Sequence, residues 1–156
     1  MAKKYWLLKS EPSSYSIDDL KRDGKTDWTG VRNYQARNTM RDSMQKGDLA
    51  FYYHSSTEET GIAGTCEIAS DAIPDKTAWD SKGHYFDPKS SPANPIWFCR
   101  EVKFKQKFKE PILLSDLRNI KGLEKMVLLQ KGSRLSVQPV AEKEWGIIMK
   151  KIVSSQ

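Results

Sequence analysis

Lys103, Lys105, Lys107 and Lys109 alternate with Phe104, Gln106 and Phe108. A repeat of two places the lysines on one face and the phenylalanines on the other, a separation natural to an extended strand and foreign to a helix. The segment from Ile96 to Phe108 is therefore predicted to be a long strand or a bent pair of strands. Its lysines read as a solvated face that discourages edge pairing, or else as a stripe that tracks phosphates. Other strand-length segments surround it. Tyr5 to Lys9 is apolar almost throughout, which fits burial on both faces. In Leu49 to His54, the residues Leu49, Phe51 and Tyr53 share one face while Ala50, Tyr52 and His54 share the other. Ile62 to Ala69 follows across the polar turn Ser56 to Thr60, so the two form a hairpin. Leu135 to Val137 gives a last short strand.

Helical signals lie between these strands. Ser16 caps a short helix, with an acid three residues later and Gly24 as terminator. Asn33 caps a second, predicted from Tyr34 to about Met44 and stopped by Gly47. Ala36, Met40 and Met44 fall on its core face at a spacing of four. Asn33, Arg37 and Arg41 line an adjacent face, with planar donors suited to phosphates, carboxylates or base edges. Pro111 to Leu129 reads as a helical segment or two short turns divided at Gly122. Ala141 to Ile152 is an amphipathic helix carrying Trp145, Ile148, Met149 and Ile152 on one side. Asp71 to Pro95 is a long loop that contains Trp79, Tyr85 and Phe86; aromatics there must be buried or must cover something, so it reads as a wall or lid over a site. Strands and helices mix without a βαβ rhythm, which points to a mainly antiparallel α+β chain.

Length and charge set bounds. The 156 residues suit one domain, residues 1–156, with a core of its own. Lys and Arg number 26 against 20 Asp and Glu, a net charge of +6 that favours a polyanionic partner. Cys66 and Cys99 lie in apolar strand-like segments and read as reduced core thiols; with His54 and His84 they offer no ligand spacing for zinc. Neither a metal nor a cofactor is expected. The apolar run Tyr5 to Leu8 is too short for a signal peptide, and no segment approaches the ~20 apolar residues of a membrane helix. A monomer in the cytoplasm is expected, or in the nucleus of a eukaryotic host, with no membrane partner.

Five blocks, taken in order, add a resemblance. They are Tyr5-Trp6-Leu7-Leu8-Lys9-Ser10-Glu11-Pro12, the stretch Trp28 to Met40, Gly47 to Ser55, Tyr85-Phe86-Asp87-Pro88-Lys89-Ser90, and Gly132 to Val140. Together they resemble the EVE domain family over nearly the whole chain. The resemblance implies a PUA-like, mainly antiparallel β-barrel surrounded by short helices, related to the YTH domain that reads methylated adenine in RNA. It also implies a reader of modified bases, modified cytosines in DNA among them. The function expected is thus a non-catalytic nucleic-acid-binding module that takes one modified base of DNA or RNA.

Reading one base requires that it leave its stack, meet aromatic faces and have its edge matched by hydrogen bonds. Trp28 is the expected stacking wall, with Tyr85 or Trp79 as a second. Ser10, Asn33 and Asn38 are candidate edge readers, neutral groups that donate and accept. His54, closing a strand at a loop, is a further base-binding candidate or a hydrogen-bonded structural residue. Lys9, Arg37, Arg41 and Lys89 are the candidate phosphate contacts. By analogy with YTH domains, Trp28 together with Ser10 and Glu11 would line the pocket. The YTH pattern has Asn residues where this chain has Glu11-Pro12, and a carboxylate there accepts from a cytosine or guanine amino group instead. Two other readings stand beside this one. A small hydrolase of modified nucleosides would use Lys9 with Glu11, or His54 with Cys66, as base and nucleophile, although the chain lacks a Gly-rich phosphate loop and a serine elbow. A peptide-binding module would use the aromatic loop as a groove.

Overall fold

Side-chain alternation along the strands organises the computed structural model, which describes residues 3–131 and 135–155. Strands β1 (Tyr5–Ser10), β2 (Lys25–Asp27), β3 (Leu49–His54), β4 (Gly61–Ile68), β7 (Glu101–Leu113) and β8 (Val137–Val140) form a six-stranded sheet in the order β2-β7-β4-β3-β1-β8. The sheet curls into a half-barrel with β2 and β8 at its edges. Strands β1 and β3 run parallel, while the other neighbours are antiparallel. A separate pair joins β5 (Ile73–Pro74) to β6 (Phe98–Cys99).

The register of β1 on β3 sets Trp6 against Ala50, Leu7 against Phe51 and Leu8 against Tyr52. Residues of like parity therefore face the same way, and the sheet buries both surfaces. On one side Trp6, Leu8, Ala50, Tyr52 and Cys66 pack with Ile17 and Leu20 of α1 (Ile17–Asp23), with Trp28, and with Ala36 of α2 (Tyr34–Asn38). On the other, Leu7, Phe51, Tyr53 and Phe108 pack with Leu117 of α3 (Leu114–Leu117) and with Trp145, Ile148 and Ile152 of α4 (Glu142–Ser155). Trp145 stacks 4.0 Å from Phe51 there. No helix among the described residues is long and apolar enough to cross a membrane.

Four segments refine or correct the sequence expectation. The Ile96 to Phe108 strand is a bent pair: it breaks at Arg100 between β6 and β7, and β7 runs on to Leu113 because Ile112 and Leu113 pair with Ile62 and Gly61. Pro111 to Leu113 are therefore sheet, and the Leu114 to Leu129 remainder holds only α3 and a 3-10 turn, Val127–Leu129. The helix expected through Met44 is α-helical only to Asn38 and continues as a wider π turn, Thr39–Ser43. Arg100 explains both the break and the turn. Its guanidinium is buried and donates to the carbonyls of Met40 (2.7 Å), Met44 (2.7 Å) and Ser70 (3.1 Å), which satisfies backbone acceptors that a helix end leaves open. Ala36, Met40 and Met44 are nonetheless all buried. The last strand begins at Val137, two residues later than the expected start, and its Pro139 is tolerated because β8 is an edge. Gly132, Ser133 and Arg134, part of the last matching block, lie outside the described residues.

Candidate functional site

The end of β1, the segment from Thr26 to Asn33 and the loop tip at Tyr85 enclose a cavity of about 540 Å³. Each wall has a local cause. Lys9 and Ser10 are delivered by the last pairs of β1 with β3, opposite Tyr53 and His54. Trp28 follows β2, and its backbone N–H donates to the Arg100 carbonyl at 2.8 Å. Its ring meets Tyr52 edge-on at 5.4 Å and is only 8% exposed. Its indole N–H makes no hydrogen bond among the described residues, and the residue lines the cavity.

The far wall is built on Asp75. This carboxylate is fully buried and accepts from the N–H of Gly30 (2.9 Å), from Arg32 Nη1 (3.0 Å), and from the N–H and hydroxyl of Thr77. Burial alone would raise its pKa, but the hydrogen bonds from Thr77, Gly30 and Arg32 outweigh that and hold it below the usual carboxylate value. Arg32 then reaches across to the Tyr85 carbonyl from Nη2 (2.8 Å) and Nε (3.1 Å). Gly30 has φ +84, and a Cβ built on it would stand 2.6 Å from Tyr85 Cζ, so the tyrosine ring lies directly on its backbone. The long loop is thus fastened to the segment after Trp28 by one buried ion pair and two carbonyl bonds.

Of the residues expected at the site, Trp28, Ser10, Glu11, Asn33, Tyr85 and Lys9 line the cavity together. Ser10 Oγ donates to the Tyr15 carbonyl at 2.9 Å, and the Tyr52 hydroxyl donates to the same oxygen at 2.6 Å, so Ser10 keeps only its lone pairs for a ligand. Asn33 Oδ1 caps Ala36 N–H at 3.0 Å and leaves its amide NH₂ for other use. Glu11 is exposed at the rim. Lys9 is half-buried; burial holds its ammonium pKa below the usual lysine value, and the ammonium sits 5.7 Å over the Tyr53 ring.

The other expected residues do not reach the cavity. His54 Nε2 accepts from the Ile17 N–H at 3.0 Å, at the start of α1, and burial lowers its pKa; it is a structural acceptor. Trp79 ends a 3-10 turn and donates to Ser90 Oγ at 3.3 Å. Asn38 Oδ1 is taken by Arg37, at 2.7 and 3.1 Å. Arg41 is paired with Asp42 at 2.8 Å, and Lys89 is exposed in the outer part of the loop. Arg37, fixed on the Ile96 carbonyl and Asn38, is likewise outside. Asn38, Arg37 and Arg41 are carried outward by the helix turn after Asn33 and Lys89 by loop length, while His54, expected because it closes a strand, and Trp79, expected as an aromatic of the long loop, are held by structural bonds. Sequence reasoning passed over Gly30, Arg32 and Asp75. The first two stand between Trp28 and Asn33 and were within reach on adjacency; Asp75, 43 residues beyond Arg32, carries no local signal. The proposed Cys-His pair does not form: Cys66 is wholly buried in the core with its thiol pushed up to about 12, and His54 is engaged by Ile17.

The EVE domain family matches residues 4–151. Thymocyte nuclear protein 1 of Homo sapiens is 39% identical over 164 residues, which cover 93% of this chain and 72% of the relative. A Pseudomonas syringae protein of known crystal structure superposes with a TM-score of 0.91 and 47% identity, over 95% of this chain and 99% of that one. The crystal structure of human THYN1 protein in complex with DNA containing 5-methylcytosine superposes with a TM-score of 0.88 and 37% identity, over 96% of this chain and 98% of that one.

Proposed function

The chain belongs to the EVE domain family, and from that premise we propose that it binds DNA and reads a modified cytosine turned out of the helix into the cavity beside Trp28. The observation that carries the proposal is the cavity: about 540 Å³, with the aromatic rings of Trp28 and Tyr85 among its lining residues and an indole N–H that has no protein partner among the described residues. The solved complex of human THYN1 protein with 5-methylcytosine-containing DNA supports the choice of partner and base. In this reading Trp28 and Tyr85 supply stacking, worth ~1–3 kcal/mol for a base on an aromatic ring. Glu11 accepts from the exocyclic amine of cytosine, which the major-groove code assigns to an acidic acceptor. The Asn33 amide and the Trp28 N–H serve the acceptor edge of the base, and Lys9 lies where a phosphate of the extruded nucleotide passes.

Binding is the whole activity in this reading. It treats residues 1–156 as one domain and a monomer as the working unit.

The test is a titration of tryptophan fluorescence with short DNA and RNA strands, single and double, each carrying one plain, methylated or hydroxymethylated base, at two salt concentrations. DNA with a modified cytosine is expected to bind at least tenfold tighter than its parent, a difference of ~1.4 kcal/mol. Equal binding to every base, fading with salt, would reduce the protein to a generic cation.

A further inference from the structure

A second aromatic surface begins where the cavity ends. Tyr34 opens α2 and is 56% exposed, yet its ring stacks on the buried Trp97 at 4.9 Å and 26°. The Arg37 guanidinium lies 4.9 Å from the Tyr34 ring and 5.9 Å from Trp97. Arg32 lies 5.3 Å from Trp97 and 5.4 Å from Tyr85, so planar groups run without interruption from the cavity wall to the exposed tyrosine. Arg32 and Arg41 are neutralised by Asp75 and Asp42, but Arg37 has no carboxylate within ion-pair distance among the described residues. Its plane is fixed by donation to the Ile96 carbonyl at 3.0 Å and to Asn38 Oδ1 at 2.7 Å.

An exposed ring backed by a second ring and flanked by a guanidinium with no carboxylate at ion-pair distance suits a nucleobase and its phosphate, since every base has a face to stack. Position favours the same occupant. Asn33 on the cavity wall and Tyr34 on the platform are consecutive, with Cα atoms about 3.8 Å apart. A strand with one base in the cavity can therefore set its neighbour over Tyr34. We propose that Tyr34, stacked on Trp97 and flanked by Arg37, is a second station that holds the unpaired base next to the one being read, so that the preferred ligand is a single-stranded or locally opened DNA. This rests on the base-reading proposal above.

The experiment uses single-stranded DNA with 5-methylcytosine at the centre and an abasic residue placed in turn at each of the two positions on either side. Loss of a stacked base costs roughly five- to 150-fold. The wild-type protein should lose at least about fivefold for one abasic position next to the centre. Tyr34→Ala should lose as much on the intact strand and nothing more on that abasic strand, whereas Tyr34→Phe should behave as wild type. The ratio of methylated to plain cytosine should be the same in all three. Wild-type affinity in Tyr34→Ala, or losses that multiply at every abasic position, overturns the second station while an intact ratio leaves the reader standing. A ratio of one in the wild type sinks the reader and the station with it. Tyr34-dependent binding of a proline-rich peptide, with DNA unaffected, assigns the platform to a protein partner and refutes the proposal.

Discussion

The carboxylate of Asp75 holds the far wall of the cavity, and Asp75→Asn measures how much. One oxygen accepts from Gly30 N–H and Arg32, the other from the Thr77 N–H and hydroxyl. An amide has only one accepting oxygen, so either pose aims an NH₂ at one of these pairs. The cheaper pose faces Thr77, whose hydroxyl turns to accept, and sacrifices the Thr77 N–H at ~1–3 kcal/mol. The same change leaves Arg32 without its counter-charge. Breaking a buried pair from one side costs ~3–5 kcal/mol, but the Arg32 side chain is 23% exposed and recovers part of that from water. With about half of the second cost recovered, a total of about 3–5 kcal/mol follows, or a fall in Tm of about 6–20 °C for a chain of this size. Thermal unfolding followed by circular dichroism tests it, with Asp80→Asn as a control. Asp80 is exposed, and its carboxylate accepts from the Lys82 N–H at 3.0 Å. A fall under about 3 °C for Asp75→Asn would refute the claim that this carboxylate fastens the loop.

The other expectations concern the cavity and the core beneath it. Trp28→Ala should abolish the preference for modified over plain cytosine, and because a buried Trp→Ala change costs ~3–5 kcal/mol, Trp28→Phe should accompany it and keep part of the preference; equal preference in wild type and Trp28→Ala would remove the indole from the site. Gly30→Ala should displace the Tyr85 ring, since its Cβ would stand 2.6 Å from Cζ, whereas Gly47→Ala, with positive φ but open space, should show backbone strain alone. Exchange of the Tyr85 ring resonances would distinguish the two. Lys9→Gln should weaken DNA binding and lower the slope of log affinity against log salt by about one; an unchanged slope would place Lys9 off the phosphate path. For His54, burial depresses the folded pKa below 6.5; the pull of Asp18 opposes it in part, and Lys107 adds a smaller push downward. The unfolded chain then binds the proton first, so stability is full above the ordinary histidine range and falls as pH drops from 6.5 through the folded pKa. Chemical denaturation from pH 7.5 to 5 should show this fall in the wild type and a shallower one in His54→Gln.

What the sequence disclosed was whatever depends on spacing of a few residues. Parity along β3 set Phe51 and Tyr53 on one face and Ala50 and Tyr52 on the other, and the two pairs fall in separate cores; in β7 the same reasoning put Phe104 and Phe108 together, but a register shift against β4 sends them to opposite cores. Ser16 and Asn33 were legible as caps, and each accepts the expected backbone N–H, from Asp19 and Ala36. Ser10, Glu11 and Trp28 were legible as neighbours only through family resemblance, since β1 and the segment after β2 are far apart in the chain. What stayed hidden required contacts at long range. Nothing near Asp75 announces that it will receive Gly30 and Arg32, and nothing near Arg100 announces that it will widen the turn after Asn38 by taking the Met40 and Met44 carbonyls. His54 looked like a ligand because it ends a strand; the Ile17 N–H that claims it belongs to a helix 37 residues earlier.

The loop from Asp71 to Pro95 admits two roles at sequence level, wall or lid, and the bonds decide between them. A lid must leave, and the tip of this loop is held by the two bonds from Arg32 to the Tyr85 carbonyl. Behind the tip, Asp87 accepts from the Trp97 indole at 2.6 Å and its N–H donates to the Ala78 carbonyl at 2.9 Å, while Ser90 Oγ accepts from both Ile96 N–H and Trp79. Opening would expose the buried charge of Asp75 to the loss of its partner. The loop is therefore a wall, and the cavity stands formed before any base arrives. A preformed site spends little of its stacking energy on ordering the protein, so if the cavity reads a base as proposed, discrimination between a modified base and its parent rests on contacts inside it, not on closure around it. In the proposed reading, that discrimination falls to the side chains left with unused donors and acceptors there, the Trp28 indole, the Asn33 amide and the Glu11 carboxylate.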